Sequence, residues 1–192
     1  MGLAREPRPA LLVIAALHTG QDVCSQARAL LERQLGPVRQ VGPELAFGWT
    51  DYYESEMGPG LSRCFLAAER LVPPGSLADL KRLTDRIEGA LSRPDGNRRI
   101  NLDPGLLNLH NFVLASTKCQ PQRIYLRDGI YAEVTLHYSG GRFEPLTRTY
   151  PEYRSEGTLD LLTGLRQEYK GFLRAGSACL DPAALVDTRM EA

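Results

Sequence analysis

The chain has four cysteines, Cys24, Cys64, Cys119 and Cys179, and no CxxC pair among them. Such scatter argues against a zinc ribbon or a thioredoxin-type motif. It predicts reduced, mostly buried thiols in a reducing, cytoplasmic compartment. No GxxxxGK(S/T) loop occurs, which argues against a Walker-type nucleotide triphosphatase, and no GxGxxG follows the first apolar run. A GxSxG nucleophile elbow is missing too. The three histidines, His18, His110 and His137, have no metal-ligand spacing, so no metal centre is expected from them. Charge of one sign is not in excess: 23 basic and 23 acidic residues cancel. A neutral total gives no support to a nucleic-acid partner or an anionic membrane surface. No segment reaches the ~18 apolar residues of a membrane span.

What is present is ordinary globular material, 43% hydrophobic and 24% charged in 192 residues, enough for one core. Arg5 and Arg8 precede the apolar run Ala10–Leu17 and imitate a signal peptide. The run is short and no small-x-small cleavage site follows it, so a buried first strand is the better reading. Thr19/Asp22 and Ser76/Asp79 read as capping boxes that open two helices. The first is striped by Val23, Ala27, Leu30, Leu31 and Leu35 and stopped by Gly36-Pro37. The second is striped by Leu77, Leu80, Leu83, Ile87 and Leu91. Extended stretches are predicted at 37–48, at Leu61–Val72 and at Arg98–Asp103.

The resulting order βαββαβ predicts an α+β (mixed α/β) protein with a ferredoxin-like core over residues 9–103. Residues 104–175 add a strand at Phe112–Ala115, an antiparallel hairpin and a C-terminal helix over Thr158–Leu173. Residues 1–175 form one domain, with 176–192 as a poorly ordered or loosely docked tail. At Arg127-Asp128-Gly129 a three-residue turn pairs Leu126 with Ile130 and Ile124 with Ala132. It turns Ile124, Leu126, Ile130, Ala132, Val134 and Leu136 toward the core. A second tight turn, Ser139–Arg142, sets Phe143 beside Tyr138.

The same alternation leaves polar faces. Arg99, Asn101 and Asp103 share one side of a strand, and Arg123, Tyr125, Tyr131, Glu133 and Thr135 share one side of the hairpin. Lys81, Thr84 and Glu88 line a helix opposite its leucines. If these surfaces meet, Lys81, Arg99, Lys118 and Arg123 suit a phosphate or carboxylate, and Tyr52, Tyr53, Tyr125 and Tyr131 suit a ring. Glu56, Asp103 and Glu133 suit a general base or a magnesium ion, and Asn101–Gly105 reads as a sharp turn. The expected function is binding of a nucleotide or another small anionic metabolite. One alternative is an enzyme on a phosphorylated substrate with Glu133 or Asp103 as general base, and another is a protein–protein assembly module. Plainer readings stand beside these: Arg123–Glu133 as a cross-strand ion pair, and Lys81 with Glu88 as a charged helix face.

Several phrases in order carry a resemblance. They are Thr50–Gly58 (TDYYESEMG), Lys81 with Thr84 and Glu88, Asn101–Gly105 (NLDPG), Leu114–Lys118 (LASTK), Arg123–Leu126 (RIYL), Gly129–Leu136 (GIYAEVTL) and Thr149–Tyr153 (TYPEY). Over residues 9 to 173 the chain resembles the bacterial and archaeal family catalogued as domain of unknown function 4416. The resemblance implies no established activity. The chain departs from that family's pattern at Asp85, where asparagine is usual, at Gln122, where histidine is common, and at Arg148, where tryptophan is typical.

Overall fold

The computed structural model describes residues 2–181. It is a mixed α/β fold with an eight-stranded antiparallel sheet and five helices. In chain order the elements are β1 (Ala10–His18), α1 (Gln21–Leu35), β2 (Val38–Ala46), α2 (Glu54–Met57), β3 (Ser62–Val72), α3 (Leu77–Ala90) and β4 (Ile100–Leu107). There follow β5 (Asn111–Ser116), β6 (Ile124–Arg127), β7 (Ile130–Ser139), β8 (Arg142–Pro145), α4 (Pro151–Arg154) and α5 (Glu156–Ala175). The strand order is β2-β3-β1-β4-β5-β7-β6, and β8 also pairs β7. Among the described residues no helix is long and apolar enough to cross a membrane.

The run read as a first strand is buried along its whole length, which fits a strand covered on both faces. Leu12, Ile14 and Ala16 face the layer made by α1 and α3. Leu11, Val13 and Ala15 face the layer made by α4 and α5. Each buried leucine or isoleucine contributes about 1.5–3 kcal/mol of transfer free energy, so this strand anchors the sheet. α1 stops at Gly36, whose φ of 76° suits a residue without Cβ, and α5 stops at left-handed Gly176. Beyond it Leu180 is buried and its amide bonds Leu71. The rest of the expected tail, 182–192, lies outside the described residues.

Several expectations need correction. Neither proposed capping box forms. Asp22 pairs with Arg99 instead, Asp79 pairs with Arg127, and Ser76 bonds the Pro73 carbonyl. Asn101–Gly105 is not a turn, because β4 runs straight through it to Leu107. The hairpin closes on two residues, Asp128 (φ 53°) and Gly129 (φ 76°), both left-handed as a tight hairpin turn requires. Arg127, not Leu126, then faces Ile130. Ile124↔Ala132 and Tyr125↔Tyr131 pair as expected, with a register shift at Leu126.

A second irregularity, at Thr135 opposite Phe112/Val113, reverses the alternation of β7. Ile130 and Ala132 therefore pack toward α1 and α3, whereas Leu136 packs on the opposite face. Ile124, Leu126 and Val134 are exposed rather than in the core. Cys24 and Cys64 are buried as expected, but Cys119 and Cys179 are exposed. Tyr138 and Phe143 pair as expected, their ring centroids 5.5 Å apart.

Candidate functional site

The site begins with a proline. β4 pairs β1 over its full length but meets β5 only from Gly105 to Leu107. The Leu102 amide donates to Glu88 Oε1 at 2.7 Å, and its carbonyl accepts from Lys81 Nζ at 3.0 Å. Its polar groups therefore face away from β1. Alternation turns the groups of Pro104 the same way, and proline has no N–H to offer a neighbouring strand. So β5 cannot zip on past Gly105, and a gap opens along Ile100–Pro104 that side chains of α3 fill. Gly105 itself lies under an aromatic ring, since a Cβ there would come within 2.3 Å of Phe112.

Around this gap runs a chain of polar contacts. Arg98 grips Glu56 with Nε to Oε1 at 2.7 Å and Nη2 to Oε2 at 2.8 Å, and its Nη1 reaches Glu88 and Asn101. Asn101 donates to Asp103 Oδ2 at 2.8 Å. Lys81 Nζ lies 3.0 Å from Asp85, 3.7 Å from Glu88 and 3.6 Å from Asp103. Burial works to lower the Lys81 ammonium, but Asp103, Glu88 and Asp85 outweigh it and hold it above the ordinary lysine value. Burial likewise raises the Glu88 carboxyl, although Lys81, the Leu102 amide and Arg98 oppose the rise. Lys81, Thr84 and Glu88 are thus buried, not a solvated helix face. Thr84 turns back to the Lys81 carbonyl and serves the helix rather than the gap.

On the α4 side of the sheet β3 contributes Arg63. Its side chain is 6% exposed and pairs with Glu152 through Nη2 at 2.8 Å. Its Nε and Nη1 have no hydrogen-bond partner, and neither has the buried hydroxyl of Tyr153. Burial raises the Glu152 carboxyl against the pull of Arg63, and it raises the Tyr153 phenol well above its ordinary value. Burial also raises Tyr53, with Asp103 adding to the effect, so Asp103 acts on both halves of the network.

Across the gap, Arg123 holds Glu133 at 2.6 Å, Ser116 Oγ at 2.6 Å, the Lys118 carbonyl at 2.9 Å and Tyr150 Oη at 2.9 Å. Both ionic side chains are almost wholly buried, 3% and 4% exposed. Lys118 Nζ reaches Tyr52 Oη at 2.9 Å, and Tyr52 packs edge-on against Tyr53, which closes the circuit. Tyr125 and Tyr131 pair on the hairpin with centroids 5.4 Å apart. Gly105, Leu114 and Glu133 share one cross-strand row. Strand spacing then separates the Asp103 and Glu133 Cα atoms by roughly 12 Å.

The structure thus gathers Tyr52, Tyr53, Glu56, Lys81, Glu88, Asn101, Asp103, Lys118, Arg123 and Glu133. It leaves Arg99 outside, on an ion pair with Asp22. Sequence reasoning missed Arg98, Arg63, Glu152 and the roles of Tyr150 and Tyr153. Arg63 had a signal, as a lone cation inside the apolar strand Leu61–Val72, and the Tyr150–Tyr153 phrase was already conspicuous. Of the three departures from the family pattern, Asp85 joins the network through Lys81, while Arg148 is exposed.

No curated protein and no solved structure matches the chain. The profile of the family described as Domain of unknown function (DUF4416) matches residues 8–169. With most of its length and its whole polar circuit inside that match, the chain belongs to this family.

Proposed function

We propose that the protein binds a small polar metabolite bearing a carboxylate or phosphate in the gap beside β4, with the anionic group on Arg63. One observation carries this reading: a buried guanidinium with two idle donors beside an idle phenol. A buried polar group without a partner costs about 1–3 kcal/mol, and more when charged. A bidentate anion fits the fork of Arg63. Glu152 and Asp103 stand close, so the ligand must also present donors, as hydroxyl or amino groups do. Exposed Tyr52 and Tyr150 at the rim support a ring-bearing molecule such as a nucleotide.

A second reading, catalysis on a phosphorylated substrate, is favoured by Asp103. Its side chain is 27% exposed, and it accepts one side-chain hydrogen bond while standing 3.6 Å from Lys81. It has the freedom of a general base or a magnesium ligand, whereas Glu133 is committed to Arg123. A protein-docking role has less support, since the idle donors of Arg63 are buried.

The test is thermal denaturation against nucleotides, sugar phosphates and organic acids, with and without magnesium. Saturable stabilisation that Arg63→Lys removes supports binding at Arg63, because lysine keeps the charge but not the fork. A stabilisation unchanged in that variant, or none across the panel, overturns it. Turnover lost in Asp103→Asn while binding persists would move the reading to catalysis.

We also infer that β1 to β4 with α1 and α3 are a ferredoxin-like core. The order β4-β1-β3-β2, antiparallel throughout with both helices on one face, supports this. The free thiols support a cytoplasmic setting.

A further inference from the structure

On the α1 side of the sheet, at the end of β1, three side chains from three elements converge. They are His18 at the end of β1, Cys24 in the first turns of α1 and Cys64 near the start of β3. All are buried, and their ligand atoms lie within 4.8 Å of one another. The two sulfurs are 3.5 Å apart. His18 Nε2 lies 3.6 Å from Oε2 of Glu44, on the neighbouring β2. Neither ring nitrogen of His18 makes a hydrogen bond, although the ring is 0% exposed. A buried imidazole whose nitrogens make no hydrogen bond needs an explanation.

We propose that His18, Cys24 and Cys64 bind a structural zinc ion, with Glu44, which stands beside His18 but outside that cluster and accepts from Gln21, turning in as fourth ligand. Zinc takes sulfur at about 2.3 Å and nitrogen or oxygen at about 2.0–2.2 Å, and the edges of such a tetrahedron run from roughly 3.3 to 3.8 Å. The sulfur–sulfur and nitrogen–oxygen separations both match those edges. The donor set, two thiolates, an imidazole and a carboxylate, is soft enough to exclude magnesium and calcium. The burial of His18, Cys24 and Cys64 fits a structural ion rather than one that must admit substrate. Binding displaces both thiol protons to solvent. The ion ties β1, α1, β2 and β3 together on the face opposite Arg63.

The sequence conceals this centre because its ligands are separated by 5, 19 and 19 residues, a pattern unlike any ribbon or finger. Only the antiparallel neighbourhood of β1 and β3 brings His18 and Cys64 together.

Metal analysis of the full chain purified without chelator is the first measurement, followed by cobalt(II) titration of chelator-stripped protein. The expected result is one equivalent of zinc and, with cobalt, thiolate charge-transfer and tetrahedral d–d bands that zinc abolishes. Glu44→Gln should weaken zinc affinity about tenfold, and Cys119→Ser should leave it unchanged. Alkylation mapped by mass spectrometry guards against variants that fail to fold. In wild-type protein zinc must protect Cys24 and Cys64 while Cys119 and Cys179 react. Cobalt without thiolate bands, or equal alkylation of all four cysteines with and without zinc, overturns the proposal. So does a Cys24–Cys64 disulfide that persists under reducing conditions.

Discussion

Two buried arginines on either side of Asp103 are treated in opposite ways. Arg123 spends its donors on Glu133, Ser116, the Lys118 carbonyl and Tyr150. Arg63, equally hidden, has the Glu152 carboxylate and lies over the Phe47 ring, 5.2 Å from its centroid, but two of its donors make no hydrogen bond. Burial alone therefore does not separate a structural ion pair from a recognition group. Completeness of hydrogen bonding does. A saturated guanidinium holds two strands and the 116–118 turn in place, and an unsaturated one is poised for a partner.

The comparison can be broken most forcefully at Glu133. Glu133→Ala leaves Arg123 buried without its counter-ion, and should cost about 3–5 kcal/mol in chemical denaturation. A loss below 1 kcal/mol would mean that Arg123 is not held as described. Gly105→Ala comes next. The new methyl meets the Phe112 ring and should cost about 1–3 kcal/mol, closing or distorting the gap from its paired end.

Arg63→Met with Glu152→Leu should change stability little, within about 1 kcal/mol, or raise it, because the pair it removes is only partly bonded. A loss as large as that of Glu133→Ala would erase the contrast. A pH series sharpens the point. Burial raises the folded-state Glu152 carboxyl, so the folded chain holds that proton more tightly than the unfolded chain. The stability this contributes is present at acid pH and is lost as pH rises from the ordinary carboxylate range through the raised value. Melting temperature against pH should lose that part of its slope in Glu152→Gln. The smallest effect belongs to the exposed pair Arg142–Glu156, where Arg142→Ala should leave the denaturation midpoint unchanged.

Much of this architecture could be read from residue patterns. The unbroken apolar run of β1, the leucine stripes of α1, α3 and α5, and the presence of a hairpin at Arg127-Asp128-Gly129, though not its turn length, are local signals. Asp103-Pro104-Gly105 misled because its residues favour turns, whereas in the fold each answers a neighbour. Pro104 faces an edge with no strand to bond, and Gly105 makes room for Phe112. The polar faces were visible as alternation, so Lys81, Asn101, Asp103, Arg123 and Glu133 could be named. Arg98 and Arg99 could not be told apart, since both lie just before β4 and only the placement of α2 decides which one meets Glu56. The β7 bulge at Thr135 was invisible for the same reason, because it depends on β5 across the sheet.

The outer rims of the sheet have a consequence of their own. Along β7 the free side is tiled by two separate four-residue strands, β6 against Ile130–Ala132 and β8 against Leu136–Ser139. At the opposite rim β2 is interrupted between Val41 and Leu45 by left-handed Gly42 and by Pro43. Among the described residues neither border presents a long, flat row of open amides on which another chain can crystallise into fibre. A protein that builds about a third of its chain into one broad antiparallel sheet thereby guards itself against its own aggregation.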